Sequence, residues 1–218
     1  PPDSYWPEIQ RICKRYDILL VMDEVICGFG RTGHWFASEH YGLQPDLLCM
    51  AKGITSGYIP LGAVAVGARV AAGLIAGGEF FHGFTYSGHP VACAVALANI
   101  EVMKKERLVE RVHDDIGPYL QKKWASLGSH PLVGETRGLG LLAALELVAD
   151  KNDNRRFDEH IGAGMMCREH CFELGLVMRA VGDTMIISPP LVISRTEIDE
   201  LITKARQALD LTYQTLMN

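Results

Sequence analysis

Ile18-Leu19-Leu20-Val21-Met22-Asp23-Glu24 is an apolar run closed by two acids. With no polar alternation, residues 18–23 read as a strand buried on both faces, the pattern of a parallel sheet between helical layers. A second run, Leu47-Leu48-Cys49-Met50-Ala51, ends at Lys52, where Gly53-Ile54-Thr55-Ser56-Gly57 opens a Gly-rich loop. Ahead of the first run, Ile9, Ile12 and Cys13 fall at helical spacing within residues 7–16, so a helix feeds the strand. Helix followed by all-apolar strand defines an α/β region.

Working outward, residues 63–67 form a further short strand. Pro90 opens a helix over Val91-Ala92-Cys93-Ala94-Val95-Ala96-Leu97-Ala98, a proline well placed in a first turn. The stretch becomes charged at Lys104 and stays amphipathic to Leu127, with a bend expected at Gly117-Pro118. Beyond it the pattern predicts a strand over 138–148, a helix over 162–174, strands over 176–179 and 185–188, and a closing helix over 196–216. In that helix Ile198, Leu201, Ile202, Ala205 and Leu209 share a stripe. This gives an outline of three parts: residues 1–105 as part of a large α/β domain, 106–127 as a linking helix, and 128–218 as a small α+β domain.

Twenty-one basic against 26 acidic residues leave a formal charge of −5, which argues against a nucleic-acid surface. The six cysteines form no CxxC pair and read as reduced thiols of a cytoplasmic protein. Residues 61–78 are apolar but carry Arg69 and five glycines, a poor membrane span. The first residues, Pro-Pro-Asp, lack an initiator Met and a signal-peptide pattern, so the chain reads as starting partway through a protein. The histidines show no ligand spacing, and no metal is assigned.

A carboxylate and an amine thus each close a strand. That pair serves pyridoxal 5'-phosphate (PLP), which needs a Schiff-base lysine and an acid to hold the pyridinium proton. Along a strand Asp23 and Val25 face one way and Glu24 the other, so Asp23 can meet a ring nitrogen while Val25 packs on the ring. The plainer reading of Asp23-Glu24 is a helix cap or a surface acid. A magnesium site of a nucleotide hydrolase would require a GxxxxGK[ST] loop, and the chain has none. Gly28-Phe29-Gly30-Arg31-Thr32-Gly33 fits GxGxxG, but the bulky segment after it suits a sharp loop at a site entrance better than a dinucleotide helix. Phe84-Thr85-Tyr86-Ser87-Gly88-His89 places hydroxyls before a helix start, fit for a phosphate or for an ordinary cap. Arg179 follows a strand and is either solvated or a bidentate grip on a carboxylate.

Together these segments resemble the class III aminotransferases, PLP enzymes of fold type I. The resemblance rests on Asp23-Glu24-Val25, Gly28–Gly33, Pro45-Asp46, Ala51-Lys52-Gly53, Pro60–Val64, His82–Pro90, Met178-Arg179, Gly182-Asp183 and Pro189-Pro190-Leu191, and spans essentially the whole chain in order. Ile26-Cys27 and the 52–58 and 178–183 segments are similar to the ω-transaminase branch, of the amine:pyruvate or putrescine:pyruvate type. The resemblance implies the second half of a fold-type I large domain, mostly parallel sheet with helices, plus the small α+β C-terminal domain. It implies Lys52 as Schiff-base lysine and proton shuttle, Asp23 on the pyridine nitrogen and Val25 on the ring face. Thr85 would bind the phosphate of a neighbouring subunit's PLP in a homodimer or tetramer. Arg179 would bind the carboxylate of pyruvate or alanine. Such enzymes are about twice this length, so the resemblance implies a fragment that lacks the N-terminal half and is expected to be a poor or inactive enzyme alone; the alternative is a non-catalytic remnant or truncated product that binds no cofactor alone.

Overall fold

The structure, a computed structural model, describes residues 1–217. The chain divides between Val109 and Glu110 into two compact units. In the first, α1 (Tyr5–Arg15) leads to β1 (Val21–Asp23), α2 (Ala37–His40) and β2 (Leu47–Met50). A 3₁₀ turn over Lys52–Ile54 then leads to β3 (Ala63–Val66), α3 (Ala68–Ala76) and α4 (Pro90–Lys105). The sheet order is β1-β2-β3. β1 and β2 run parallel with Val21 opposite Leu47 and Asp23 opposite Cys49, whereas β2 and β3 are antiparallel.

Two expectations for this unit are corrected. The first strand is not buried on both faces: Met22 is buried, but Val21 and Asp23 share an exposed face, because alternate residues of a strand point to opposite sides. The unit's sheet is mixed rather than parallel throughout, since the short loop and turn between β2 and β3 reverse the chain without a helical crossover.

The expected helix over 106–127 is interrupted. α4 ends at Lys105, Arg107 adopts a left-handed φ of 51°, and the chain resumes as α5 (Leu108–Arg111), a π-helical turn over Val112–Ile116 and α6 (Gly117–Ala125). Pro118 lacks an N–H, and the wider turn sits just before it, where the bend was expected. Val112, Ile116, Leu120, Trp124 and Leu127 are all buried in the core of the second unit.

That core lies against an antiparallel sheet of β4 (Val133–Leu139), β5 (Leu142–Leu147), β6 (Arg179–Val181) and β7 (Thr184–Ile187), in the order β4-β5-β7-β6. The strand expected over 138–148 is two strands joined by a tight turn at Gly140, whose φ of 58° suits glycine. Leu139, Leu141 and Leu142 carry the apolar signal across the turn and hide it. The helices α7 (Ala163–Glu173) and α8 (Arg195–Met217) complete the unit. The α8 stripe is as expected: Ile198, Ala205 and Leu209 are buried, with Leu201 and Ile202 packed beside them. No described helix is long and apolar enough to cross a membrane.

Trp124 is buried and its Nε1–H donates to the Ala144 carbonyl at 2.9 Å, tying α6 to β5. His130 is buried as well; its Nδ1 accepts from the Leu132 N–H at 3.1 Å, which leaves the Nε2 proton facing Asp210 Oδ1 at 3.2 Å. Burial lowers the His130 pKa, outweighing the opposing pull of the Asp210 charge. An unfolded histidine titrates near 6.5, so between that value and its lower folded value the unfolded chain holds the extra proton. Stability carried by neutral His130 is therefore complete above about pH 6.5 and is lost as the pH falls below it. Denaturant unfolding from pH 7.5 to 5 should show this decline in the parent, and the decline should flatten in His130→Gln.

Candidate active site

Asp23 ends β1 and Lys52 follows β2 by two residues, so both occupy the C-terminal edge of adjacent parallel strands. The pairing extends one step past the strand, because the Glu24 N–H donates to the Cys49 carbonyl at 2.9 Å. Alternation then separates the two acids. Asp23 stays exposed, with Oδ1 accepting from the Val25 N–H at 3.0 Å. Glu24 is 1% exposed, and its two oxygens accept from the Ala37 N–H at 3.0 Å and the Ser38 N–H at 2.7 Å. The helix-cap reading of this dipeptide is thus realised in Glu24, which holds the start of α2, and Asp23 stays on the exposed face.

The loop between these elements is not a site entrance, as its glycines had suggested. Gly28, Phe29, Gly30, Thr32 and Gly33 are buried. Phe29 packs edge-on to Phe36 with ring centroids 5.5 Å apart, and the backbone folds back through Phe29 N–H to Trp35 O and Gly30 N–H to His34 O. No helix opens inside the glycines, and α2 has only four residues, which removes the dinucleotide reading. Cys27 lies in the same loop. Burial, then the Glu24 and Asp23 charges, push its thiol pKa up against the pull of Arg31, the opposite of what an activated thiol needs.

Lys52 has a φ of 45°, a left-handed conformation that costs a non-glycine residue about 1–2 kcal/mol. Such strain persists where the surroundings over-determine the backbone, which is common at functional sites. Gly53 must be glycine here, since an added Cβ would lie 2.9 Å from Phe29 Cβ. Lys52 lines a cavity of about 910 Å³ together with Thr55, Pro60, Tyr86, Ser87 and His89. Asp23 and Val25 do not line it.

Thr85 sits in the loop before α4, exposed and without a side-chain hydrogen bond among the described residues. None of the hydroxyls of that loop caps α4; His89 does, its Nδ1 accepting from the Ala92 N–H at 3.3 Å. In the second unit Arg179 opens β6 instead of following a strand, and it is exposed. Leu176 and Met178 are buried and Val177 exposed, so the alternation read as a strand begins before the ladder does. The two-residue turn Gly182-Asp183 joins β6 to β7, and Asp183 Oδ1 accepts from the Gly164 N–H at 2.8 Å, anchoring the hairpin to α7.

The model of the family Aminotransferase class-III matches residues 1–209. The chain belongs to the class III aminotransferases. It is 62% identical over 212 residues to the putrescine–pyruvate aminotransferase of Pseudomonas aeruginosa, covering 97% of this chain and 46% of that protein. Against the diaminobutyrate–2-oxoglutarate transaminase of Halomonas elongata it is 43% identical over 217 residues, 96% of this chain and 46% of that one. Among solved structures, the (S)-enantioselective omega-transaminase from Thermomicrobium roseum superposes with a TM-score of 0.92 at 46% identity, covering 97% of this chain and 47% of its own. A transaminase with L-alanine gives 0.93 at 41% identity, covering 99% and 52%. The chain spans about half the length of the curated relatives it matches.

The family is PLP-dependent, and its α/β fold is the one described above. The residues present fit that cofactor in kind: an amine and an acid on one edge of two neighbouring strands, with an open cavity beside the amine. Among the described residues no cluster suits a metal ion.

The sequence reading offered a helix cap for the Asp23-Glu24 dipeptide without saying which acid makes it, and the structure gives that role to Glu24. Removing its carboxylate leaves two buried N–H groups without partners, so Glu24→Ala should lower unfolding stability by about 1–3 kcal/mol in a denaturant titration. An unchanged midpoint would count against the capping role.

Proposed function

We propose that this chain supplies the Lys52–Asp23 site of a PLP-dependent aminotransferase that moves an amino group from an amine, of the diamine or ω-amino acid class, to pyruvate. The observation that carries the proposal is the shared strand edge of Asp23 and Lys52, with the Lys52 backbone held in a left-handed conformation. Support for the substrates is the 62% identity to a putrescine–pyruvate aminotransferase. When bound, PLP supplies an aldehyde carbon to bond the amine and a ring that takes up electrons.

In this reading Lys52 Nζ would hold the cofactor by its aldehyde carbon and would be the group that takes up and gives back a proton beside it. The Asp23 carboxylate keeps the ring nitrogen protonated, with Oδ1 already oriented by the Val25 N–H. Val25 packs on the ring face. Thr85 reaches the phosphate held by a neighbouring subunit of a homodimer or tetramer. Arg179 grips the carboxylate of pyruvate by a bidentate pair and is not needed for an amine lacking one. The protein is assigned to the cytoplasm.

A second reading has its own support: Asp23 and Val25 lie outside the lining of the cavity beside Lys52. Under it the chain is a remnant or truncated product that binds no cofactor alone.

Borohydride reduction after incubation with PLP, followed by peptide mapping, separates the two. A single adduct on Lys52, absent from Lys52→Ala, is expected; label spread over the exposed lysines, or none, would sink the cofactor site. Asp23→Asn should keep that adduct while slowing turnover by about 10²–10³-fold, the scale of losing one preorganised electrostatic group. For Arg179→Ala, reaction with pyruvate should fall by about 10–100-fold, the scale of a charge-assisted hydrogen-bonding pair, with a smaller change in the amine half-reaction. Equal losses in both halves would refute the selective grip.

A further inference from the structure

The Lys52 turn carries more strain than its own hydrogen bonds account for. Lys52 and Ser56 both have positive φ, 45° and 50°, within five residues. Within the turn, the Ile54 N–H donates to Ala51 O, the Thr55 N–H to Lys52 O and the Ser56 N–H to Gly53 O, at 3.1 to 3.3 Å. After these bonds the Gly53 carbonyl keeps a second lone pair, and the Ile54 carbonyl accepts from no N–H of the turn. Partners for both come from α4. Asn99 Nδ2 donates to the Gly53 carbonyl at 2.9 Å and to the Ile54 carbonyl at 3.2 Å. Asn99 Oδ1 accepts from the Ser56 hydroxyl at 2.7 Å. Both ends of one amide are thus used on one four-residue segment more than forty positions away in sequence.

The approach is close because the α4 face that carries Asn99 is built from small residues. Ala92 and Ala96 are buried on it, and Met103 closes it one turn beyond Asn99, with its sulfur 3.7 Å from Nδ2. Positions 92, 96, 99 and 103 follow helical spacing, so the face is continuous.

We propose that Asn99 is a positioning residue for Lys52: its amide clamps residues 53–56 and so holds the Lys52 backbone in the left-handed conformation that sets where the side chain leaves the sheet edge. Ser56 is the second jaw of the clamp. The proposal rests on the reading of Lys52 as the cofactor lysine, but the clamp itself can be measured without any cofactor.

The test uses the full chain and two variants, Asn99→Ala and Ser56→Ala. Hydrogen exchange without PLP should be about tenfold faster across residues 53–57 in Asn99→Ala, the scale of one or two lost hydrogen bonds, and faster by a smaller factor in Ser56→Ala, which keeps the two amide-to-carbonyl bonds. In the borohydride experiment, the label on Lys52 relative to the exposed Lys14 should fall in the same order. A purely structural role for Asn99 would lower the melting temperature without changing that ratio. Exchange across 53–57 within twofold of the parent, or faster exchange with an unchanged Lys52-to-Lys14 ratio, would overturn the proposal. If Asn99→Ala does not fold, Ser56→Ala decides by the same two readings. Failure of the parent chain to label Lys52, alongside accelerated exchange in Asn99→Ala, would sink the cofactor reading and leave the clamp standing.

Discussion

The parallel pairing of β1 with β2 is the constraint on which the candidate site depends. With Asp23 opposite Cys49, the acid that ends one strand and the lysine that follows the other are delivered to the same edge. A one-residue slip would reverse the alternation and turn Glu24, not Asp23, to the open face. That slip is opposed by the Glu24 side chain, whose carboxylate is committed to two backbone N–H groups at the start of α2. The two acids of one dipeptide therefore differ in their commitments: the buried one fixes register and the loop beyond it, and the exposed one keeps a carboxylate oxygen open at the strand edge.

Much of this was legible along the chain, and the gaps have physical causes. The helix opened by Pro90 and the α8 stripe were readable because both are local signals, a missing N–H and a 3.6-residue period. The Gly140 turn was missed because leucines on both sides continue the apolar run through it. Arg179 was placed after a strand because side-chain alternation at 176–178 begins before backbone pairing, which depends on β7 and cannot be seen locally. The family resemblance was carried by residues at turns and strand ends, where chemistry fixes the residue type. Asn99 left no such signal: an asparagine in an apolar helix reads as a surface residue until the helix is laid against the Lys52 turn.

The second unit is held by a different kind of contact. Arg111 donates to the Leu191 carbonyl at 2.6 Å and also to that of Ile193, tying the helical stretch before α6 to the segment that leads into α8. Tyr119 and Lys123, both on α6, converge on Asp199 of α8 at 2.9 and 2.7 Å. The latter pair is exposed and worth little by itself. The stability of this unit comes from Trp124, Leu120, Leu145, Met185 and the other apolar side chains at its centre, on which the β6–β7 hairpin bearing Arg179 is mounted.

The two groups of the candidate site are prepared to different degrees. Lys52 is locked: its conformation is strained, its turn is clamped from α4, and Gly53 admits Phe29 so closely that no larger residue fits. Asp23 is held by one backbone N–H and otherwise exposed. A catalytic lysine must place its nitrogen at one reacting carbon, so its direction has to be fixed before the cofactor arrives. An acid facing a ring nitrogen acts through charge, which tolerates small displacements, and it can be drawn into place by the ion it neutralises. Under the proposed function, rigidity is concentrated where bond formation would demand it, and the Asn99 contacts to the Lys52 turn are the feature that would provide it.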